Sequence, residues 1–396
     1  PQKNLFSHII GQIDDDNKGI SGLEKSFDKK LKKIKKPLQL TVDADIQFLI
    51  REELIKFHSV FRSKGSTAIL MNVNNGAIIS MVSYPDFDLN LRETVSDVNF
   101  INRATKGVYE LGSVFKTFTI AAGLEEGLIE TDTKFLNLEK RLKCGKNIIS
   151  EYDKKIPSDL TTEQILIKSG NIGSVRIGQK LEIDKLKSFL EKIGVLSKID
   201  FDIEEVGEPI PFKWGKCKLA TVSFGHGITT TPLQLAKGYA IIANGGFAIQ
   251  PSLIKKTLEN DKIKKRIIKE GVSKEINQIL RKIVTTKEGT AGLANIEGYE
   301  VGGKTGTAEK AIIGGYTRKA KVNTFASIFP TSKPKYVMIV LLDEPKTSED
   351  YIYKYKNKTG SYKGTPFNTA GWTSVEVAGK IIQRIGPILA TKYIEN

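Results

Sequence analysis

At 396 residues, with 40% hydrophobic and 27% charged side chains, the chain has an ordinary globular composition and enough length for one large domain or two smaller ones. Its formal net charge of +16 would suit nucleic acid or an anionic membrane surface, but the lysines are scattered over the whole length. No aromatic–basic interleaving marks a groove for nucleic acid, so no nucleic-acid partner is expected. Two cysteines, Cys144 and Cys217, permit at most one disulfide; with only His8, His58 and His226 beside them they supply no metal cluster, and neither metal nor cofactor is expected.

In chain order, residues 1–38 read as a separate piece that ends in a basic run, Lys29 to Lys36, before Pro37. Leu-Gln-Leu-Thr-Val (38–42) follows as a strand-like stretch. Asp43 or Asp45 is placed to cap an amphipathic helix through Ile46, Leu49, Ile50, Leu54 and Phe57. Residues 67–82 read as a hairpin around the turn Asn74-Asn75-Gly76. From about 113 to 290 helical patterns dominate; strands return in 299–310, 322–330 and 335–343, and a helix closes the chain. Early strands, a helical middle and late strands predict an α+β fold: one mainly antiparallel sheet, its halves far apart in sequence, with a large helical insert. No apolar run is long enough to cross a bilayer, no signal peptide is present, and the chain begins at Pro1, so it is expected to be an excised soluble portion of a longer protein.

With so few histidines, lysine is the plausible base for a serine nucleophile. Ser-x-x-Lys on a helix puts both side chains on one face, and the lysine must then be kept neutral by desolvation or a nearby cation. The pattern occurs four times, at Ser26, Ser113, Ser252 and Ser332. Only Ser113 follows a glycine at a helix start with an apolar continuation, Val114, Phe115, Phe118, Ile120 and Ala121, able to bury Lys116. A helix start also offers backbone N–H groups to a developing oxyanion. Ser169-Gly170-Asn171 is the one Ser-x-Asn; it follows a helix that Thr161 and Gln164 would open as a capping box, and by itself it also suits a plain helix–helix turn. Lys304-Thr305-Gly306-Thr307 lies on a strand-like segment behind two glycines that allow close approach, whereas Lys358-Thr359-Gly360 reads as a surface turn. Ser-x-x-Lys, Ser-x-Asn and Lys-Thr-Gly in this order are the signature of penicillin-binding proteins and serine β-lactamases.

A second class of protein competes for Lys304. Gly298 to Thr305 matches the phosphate-loop pattern, and Val337 to Glu344 looks like the strand that ends in a magnesium-binding acidic pair. A phosphate loop requires a long helix starting at its Lys-Thr, and Gly306, Gly314 and Gly315 forbid one. The phosphate-loop ATPase is rejected on that ground.

The three motifs, together with Ser7–Leu31, Thr41–Gln47, Ser223–Gly246, Thr285–Ala291, Asn323–Pro330 and Leu341–Pro345, resemble the class B penicillin-binding proteins of the septal, cell-division type over essentially the whole chain. The resemblance implies a peptidoglycan DD-transpeptidase domain over 39–396, with a mainly antiparallel five-stranded sheet, preceded by the end of a non-catalytic region over 1–38. It implies that Ser113 attacks the penultimate D-alanine carbonyl of a stem peptide, that Lys116 is the base, and that Ser169 relays a proton with the help of Lys304. Asn171 would bind the substrate backbone, and Thr305, Gly306 and Thr307 its carboxylate end. The backbone N–H groups of Ser113 and Thr307 would form the oxyanion hole, and β-lactams would arrest the enzyme as acyl adducts. The implied location is the outer side of the bacterial inner membrane, with division-complex membrane proteins and a glycan polymerase as partners. Three positions depart from the family pattern: Gly170 lacks a polar side chain, Leu111 replaces a proline, and His226 stands where glutamine is common; a stretch usual after residue 31 is also missing. A serine β-lactamase or DD-carboxypeptidase shares the motifs, but no glutamate loop for activating water is evident. A sensor that acylates without turnover shares them too.

Overall fold

The computed structural model describes residues 2–33, 36–91, 97–145, 147–255, 265–312, 315–354 and 361–392. Of the two aspartates before the first long helix, α1 (Ala44–Phe61), Asp43 is the cap: its Oδ1 accepts from Asp45 N at 3.0 Å and Ile46 N at 3.1 Å. Ile46, Ile50, Leu54, Phe57 and Phe61, spaced at three and four, are fully buried on one stripe. The helix leads into β1 (Gly65–Asn72) and β2 (Ile78–Tyr84), the expected hairpin, with Gly76 at φ 76° in its turn.

The late strands are β5 (Gly302–Ile312), β6 (Gly315–Phe329) and β7 (Tyr336–Asp343); two further strands, β3 (Arg141–Cys144) and β4 (Asn147–Ser150), form a small hairpin of their own. The main sheet has the order β2-β1-β7-β6-β5, and every neighbouring pair is antiparallel. β1 from the first fifth of the chain lies beside β7 from the last, Ile69 opposite Ile339, so the five-stranded sheet of distant halves is as expected. Because β1 and β7 are buried along nearly their whole length in both alternations, helices cover both faces. α1 and the closing helix α8 (Ser374–Lys392) pack on each other and on the sheet; α6 (Pro232–Ala243) packs on the same strands, opposite them.

The middle of the chain holds α2 (Lys116–Glu125), α3 (Thr162–Ile167), α4 (Asn171–Lys192), α5 (Lys216–Val222) and, after α6, α7 (Glu270–Thr285). Thr161 and Gln164 form the capping box of α3. Two expectations fail. The β3–β4 hairpin interrupts the helical block; its lysine-rich strand, alternately exposed and half-buried, lacks the apolar alternation that betrays a strand. Leu38–Val42 is not a strand: a single bridge from Leu40 to Ile254 replaces it.

The N-terminal residues form three helical turns, Ser7–Ile10, Gly22–Ser26 and Asp28–Leu31. Ile9 and Leu23 are buried within the same apolar cluster as the sheet. Buried Gln47 joins three parts: its amide donates to the Leu5 and Met81 carbonyls at 3.0 Å each, and its oxygen accepts from Ser80 Oγ at 2.6 Å and Met81 N at 3.0 Å. All its hydrogen-bonding capacity is used, as burial of an amide demands.

Candidate active site

Ser113 stands in a single 3₁₀ turn, Gly112–Phe115, that runs straight into α2 with Lys116 as its first residue. The Ser-x-x-Lys pair therefore straddles a 3₁₀–α junction, where residues three apart eclipse. From Leu111 to Leu124 every residue is buried except Ser113, which keeps partial access to solvent.

Lys116 has no solvent exposure. Its ammonium donates to the Ser169 carbonyl at 2.5 Å, to Asn171 Oδ1 at 2.6 Å and to Ser169 Oγ at 3.2 Å. Lys304, equally buried, donates to the same Ser169 Oγ at 2.8 Å and to the Thr305 carbonyl at 3.1 Å. Burial pulls Lys116 down from 10.5 to about 7, against the opposing pull of the Glu151 carboxylate. Lys304 is held well below the usual lysine range, by burial first and then by the charge of Lys116. Two ammonium groups around one hydroxyl disfavour each other's charge, so the pair titrates as a unit.

Ser169 occupies the left-handed region at φ 57°, a conformation that costs a serine about 1–3 kcal/mol and concentrates at functional positions. It ends α3, while Gly170 caps α4 without a side-chain bond of its own. The cap comes from Glu151, just beyond β4: its Oε2 accepts from Asn171 N at 2.6 Å and its Oε1 from Ile172 N at 2.9 Å.

The two glycines expected to allow close approach, Gly302 and Gly303, face the protein's own chain: a Cβ on the first would lie 2.9 Å from Arg281 N and on the second 2.6 Å from the Ala326 carbonyl oxygen. A Cβ on Gly306 would lie 2.1 Å from the Leu111 carbonyl oxygen, one on Gly112 3.0 Å from the Thr307 carbonyl oxygen, and one on Gly225 1.9 Å from the Gly112 oxygen. Three backbones meet here: β5, the 3₁₀ turn and the loop carrying His226. Gly112, at φ 63°, is needed for both its space and its conformation. Thr305 Oγ1 is 2.7 Å from Thr290 Oγ1, and Thr307 Oγ1 accepts from Ala370 N at 2.9 Å. The His226 ring lies 4.5 Å from that of Tyr316, whose hydroxyl donates to Glu110 Oε1 at 3.0 Å; Glu110 Oε2 accepts from Gly227 N at 2.9 Å.

All eight sequence-predicted residues lie on three stretches that meet around Lys116: the 3₁₀ turn with the start of α2, the α3–α4 junction, and β5. Lys304-Thr305 sits inside β5, paired with Ala326 and Phe325, where no phosphate loop could form. Val337–Asp343 is the central strand β7. Of the discarded serines, Ser332 lies between β6 and β7 and Ser252 is 2.9 Å from Asp202 Oδ2; Lys358-Thr359-Gly360 falls outside the described residues. Sequence reasoning missed Glu151 and Glu110, which no motif marks; Thr290 lay within a family-like stretch. Cys144 at the end of β3 pairs with Cys217 of α5, Cα–Cα 5.4 Å. Among the described residues no group of three or more His, Cys, Asp or Glu could hold a metal ion, and no helix is long and apolar enough to cross a membrane.

An antiparallel five-stranded sheet with a buried Ser-x-x-Lys, Ser-x-Asn and Lys-Thr-Gly cluster at its edge defines the class, and residues 66–364 match the model of the penicillin binding protein transpeptidase domain. The chain belongs to that family. It is 33% identical to the probable peptidoglycan D,D-transpeptidase FtsI of Caulobacter vibrioides over 98% of this chain and 65% of that protein. It is 31% identical to stage V sporulation protein D of Bacillus subtilis over 87% of this chain and 60% of that one. The chain thus spans just under two thirds of the length of these relatives. Among solved structures it is similar to penicillin binding protein 3 of Mycobacterium tuberculosis complexed with aztreonam, with a TM-score of 0.81 and 25% identity over 98% of this chain and 90% of that one.

Proposed function

We propose that this chain is the catalytic portion of a septal-type peptidoglycan DD-transpeptidase, residues 39–396, with residues 1–38 the end of a non-catalytic region. The observation that carries the reading is the burial pattern: Ser113 alone keeps solvent access in a buried turn, one helical step from a lysine that burial brings to about 7. Ser113 Oγ attacks the penultimate D-alanine carbonyl and its proton passes to neutral Lys116. The tetrahedral oxyanion is held by the N–H groups of Ser113 and Thr307; the close approach of Gly112 to the Thr307 backbone, whose N would lie 3.3 Å from a Cβ on Gly112, supports this. Ser169, shared by both lysines, hands a proton to the leaving D-alanine amine, and Asn171 with Thr305, Gly306 and Thr307 holds the peptide and its carboxylate. An amine of a second stem peptide then takes the acyl group. By the same route β-lactams, of the kind complexed in the Mycobacterium structure, acylate Ser113 and stay. The D,D-transpeptidase named among the relatives supports this activity; the role in division, at the outer face of the inner membrane, beside division-complex membrane proteins and a glycan polymerase, we infer from the sequence resemblance to the septal type.

A β-lactamase that deacylates through a glutamate, as class A enzymes do, would need a free carboxylate for its water. Glu151, the carboxylate that acts on Lys116, has an amide N–H on each oxygen. A labelled penicillin should form one covalent adduct per chain, mapped by mass spectrometry to the peptide containing Ser113 and stable over minutes. Labelling that persists in Ser113→Ala sinks the reading; release within seconds favours the β-lactamase.

A further inference from the structure

Asn171 is held in place by the β3–β4 hairpin rather than by its own helix. Ser150 ends β4, and its carbonyl accepts from Asn171 Nδ2 at 2.8 Å. That bond decides which way the amide faces: Nδ2 must point at Ser150, so Oδ1 points at Lys116 Nζ, 2.6 Å away. The next residue, Glu151, takes the two N–H groups at the start of α4. Gly170 offers no side chain for that task, and a Cβ there would lie 3.7 Å from Glu151 Oε1. The anion that caps the Ser-Gly-Asn loop therefore comes from another element. That element is fastened at its far end by the Cys144–Cys217 disulfide to α5.

We propose that Glu151 is a positioning residue for acylation: its carboxylate, presented by the disulfide-anchored hairpin, fixes Asn171 against Lys116 and sets the charge balance around that base. The inference rests on the proposed roles of Ser113 and Lys116. Two charged groups act on Lys116, Glu151 from the hairpin and Lys304 from β5; Ser169 and Asn171, its hydrogen-bond partners, are neutral. They pull in opposite directions. The Glu151 carboxylate favours the ammonium, and a positive Lys304 disfavours it. Without Glu151 the Lys116 proton is lost at lower pH, so a change that removes the carboxylate both loosens Asn171 and moves the charge balance of the base.

The test is the second-order rate of acylation by a fluorescent penicillin from pH 5 to 10, for the wild type and Glu151→Gln. Glutamine keeps a hydrogen-bond acceptor but no charge. The rising limb is expected about 0.5–1 pH unit lower in Glu151→Gln, with a plateau several-fold below wild type. A purely structural cap would lower the plateau and leave the limb where it was; that result overturns the proposal. Should Glu151→Gln fail to fold, Glu151→Ala, which also removes the charge, is read in the same way: a limb moved to lower pH supports the proposal and an unmoved limb overturns it. Absence of any adduct at Ser113 in the wild type would instead remove the transpeptidase reading itself.

Discussion

Lys116 and Lys304 converge on one oxygen: Ser169 Oγ lies 3.2 Å from the first and 2.8 Å from the second. Neither lysine has access to water. The hydroxyl is both the spacer between two like charges and the one group that touches both, which makes it the natural conduit for a proton moving between them.

Removing that hydroxyl should therefore do more than delete a hydrogen bond. Ser169→Ala is expected to fold and to lower the acylation rate by about 10²–10³-fold, measured with a fluorescent penicillin in stopped flow. A rate within a few-fold of wild type would take Ser169 out of the proton path.

Burial of Lys116 also links stability to pH. Its native value is about 7 against 10.5 in the ordinary state, so between those values the unfolded chain binds more protons than the native one. This group's contribution to stability accordingly rises with pH across that window. Lys116→Met has no such proton to lose. Its stability advantage over wild type, from urea denaturation, is expected at pH 7 and should shrink steadily toward pH 10.

Gly306 is a steric test of the meeting of backbones. A methyl group there would press on the Leu111 carbonyl oxygen at 2.1 Å, and a backbone atom cannot swing away as a side-chain tip can. Gly306→Ala is expected to cost about 1–3 kcal/mol and to reduce acylation by more than about tenfold, through the displaced 3₁₀ turn. Unchanged acylation kinetics would show that the turn moves freely.

The Cys144–Cys217 bond closes a loop with a sequence separation of 73. Replacing both cysteines by serine is expected to lower stability by about 2–4 kcal/mol, read by denaturant unfolding. In the wild type, free-thiol titration of the denatured chain should find none without reductant. Detecting two thiols there would mean that the bond does not form.

Gln47→Leu is expected to be costly although it is apolar for polar. The Leu5 and Met81 carbonyls, the Met81 N–H and the Ser80 hydroxyl would lose a buried partner, a loss of about 2–4 kcal/mol. Thermal unfolding of the variant reads it directly.

What the sequence revealed and what it hid divide along a physical line. Ser113 with Lys116, Ser169 with Asn171, and Lys304 with Thr305 and Gly306 were legible as motifs because each is a short pattern of fixed spacing in the sequence. The sheet was legible through runs such as Val337–Leu342, apolar enough to be buried on both faces. Glu151 was not, since its role comes from an element 20 residues away from Asn171 in sequence and no local pattern announces a cap supplied from outside the helix. The β3–β4 hairpin escaped for a related reason: Arg141 and Lys143 face water and Leu142 and Cys144 are only half-buried, so its strands carry little apolar signal. Residues 1–38 read as a separate piece because they are short and basic at the end, and within them Ile9 and Leu23 are buried in the common core. Long-range burial of two residues leaves almost no trace in local composition.

The pairing of β1 with β7 sets the order in which this chain can become sound as it is made. β1 emerges early with the apolar run Ala68-Ile69-Leu70-Met71, but its second neighbour, Tyr336–Asp343, follows only after most of the chain has been synthesised. Until then that edge stands unpaired, the kind of template on which chains stick to one another. A product cut short before residue 336 would carry the whole Ser113, Ser169 and Lys304 cluster in its sequence and still lack the central strand of the sheet. Such fragments should appear as aggregates rather than as weakened enzymes, and the nascent chain needs shielding at Gly65–Asn72 until Tyr336–Asp343 has been made.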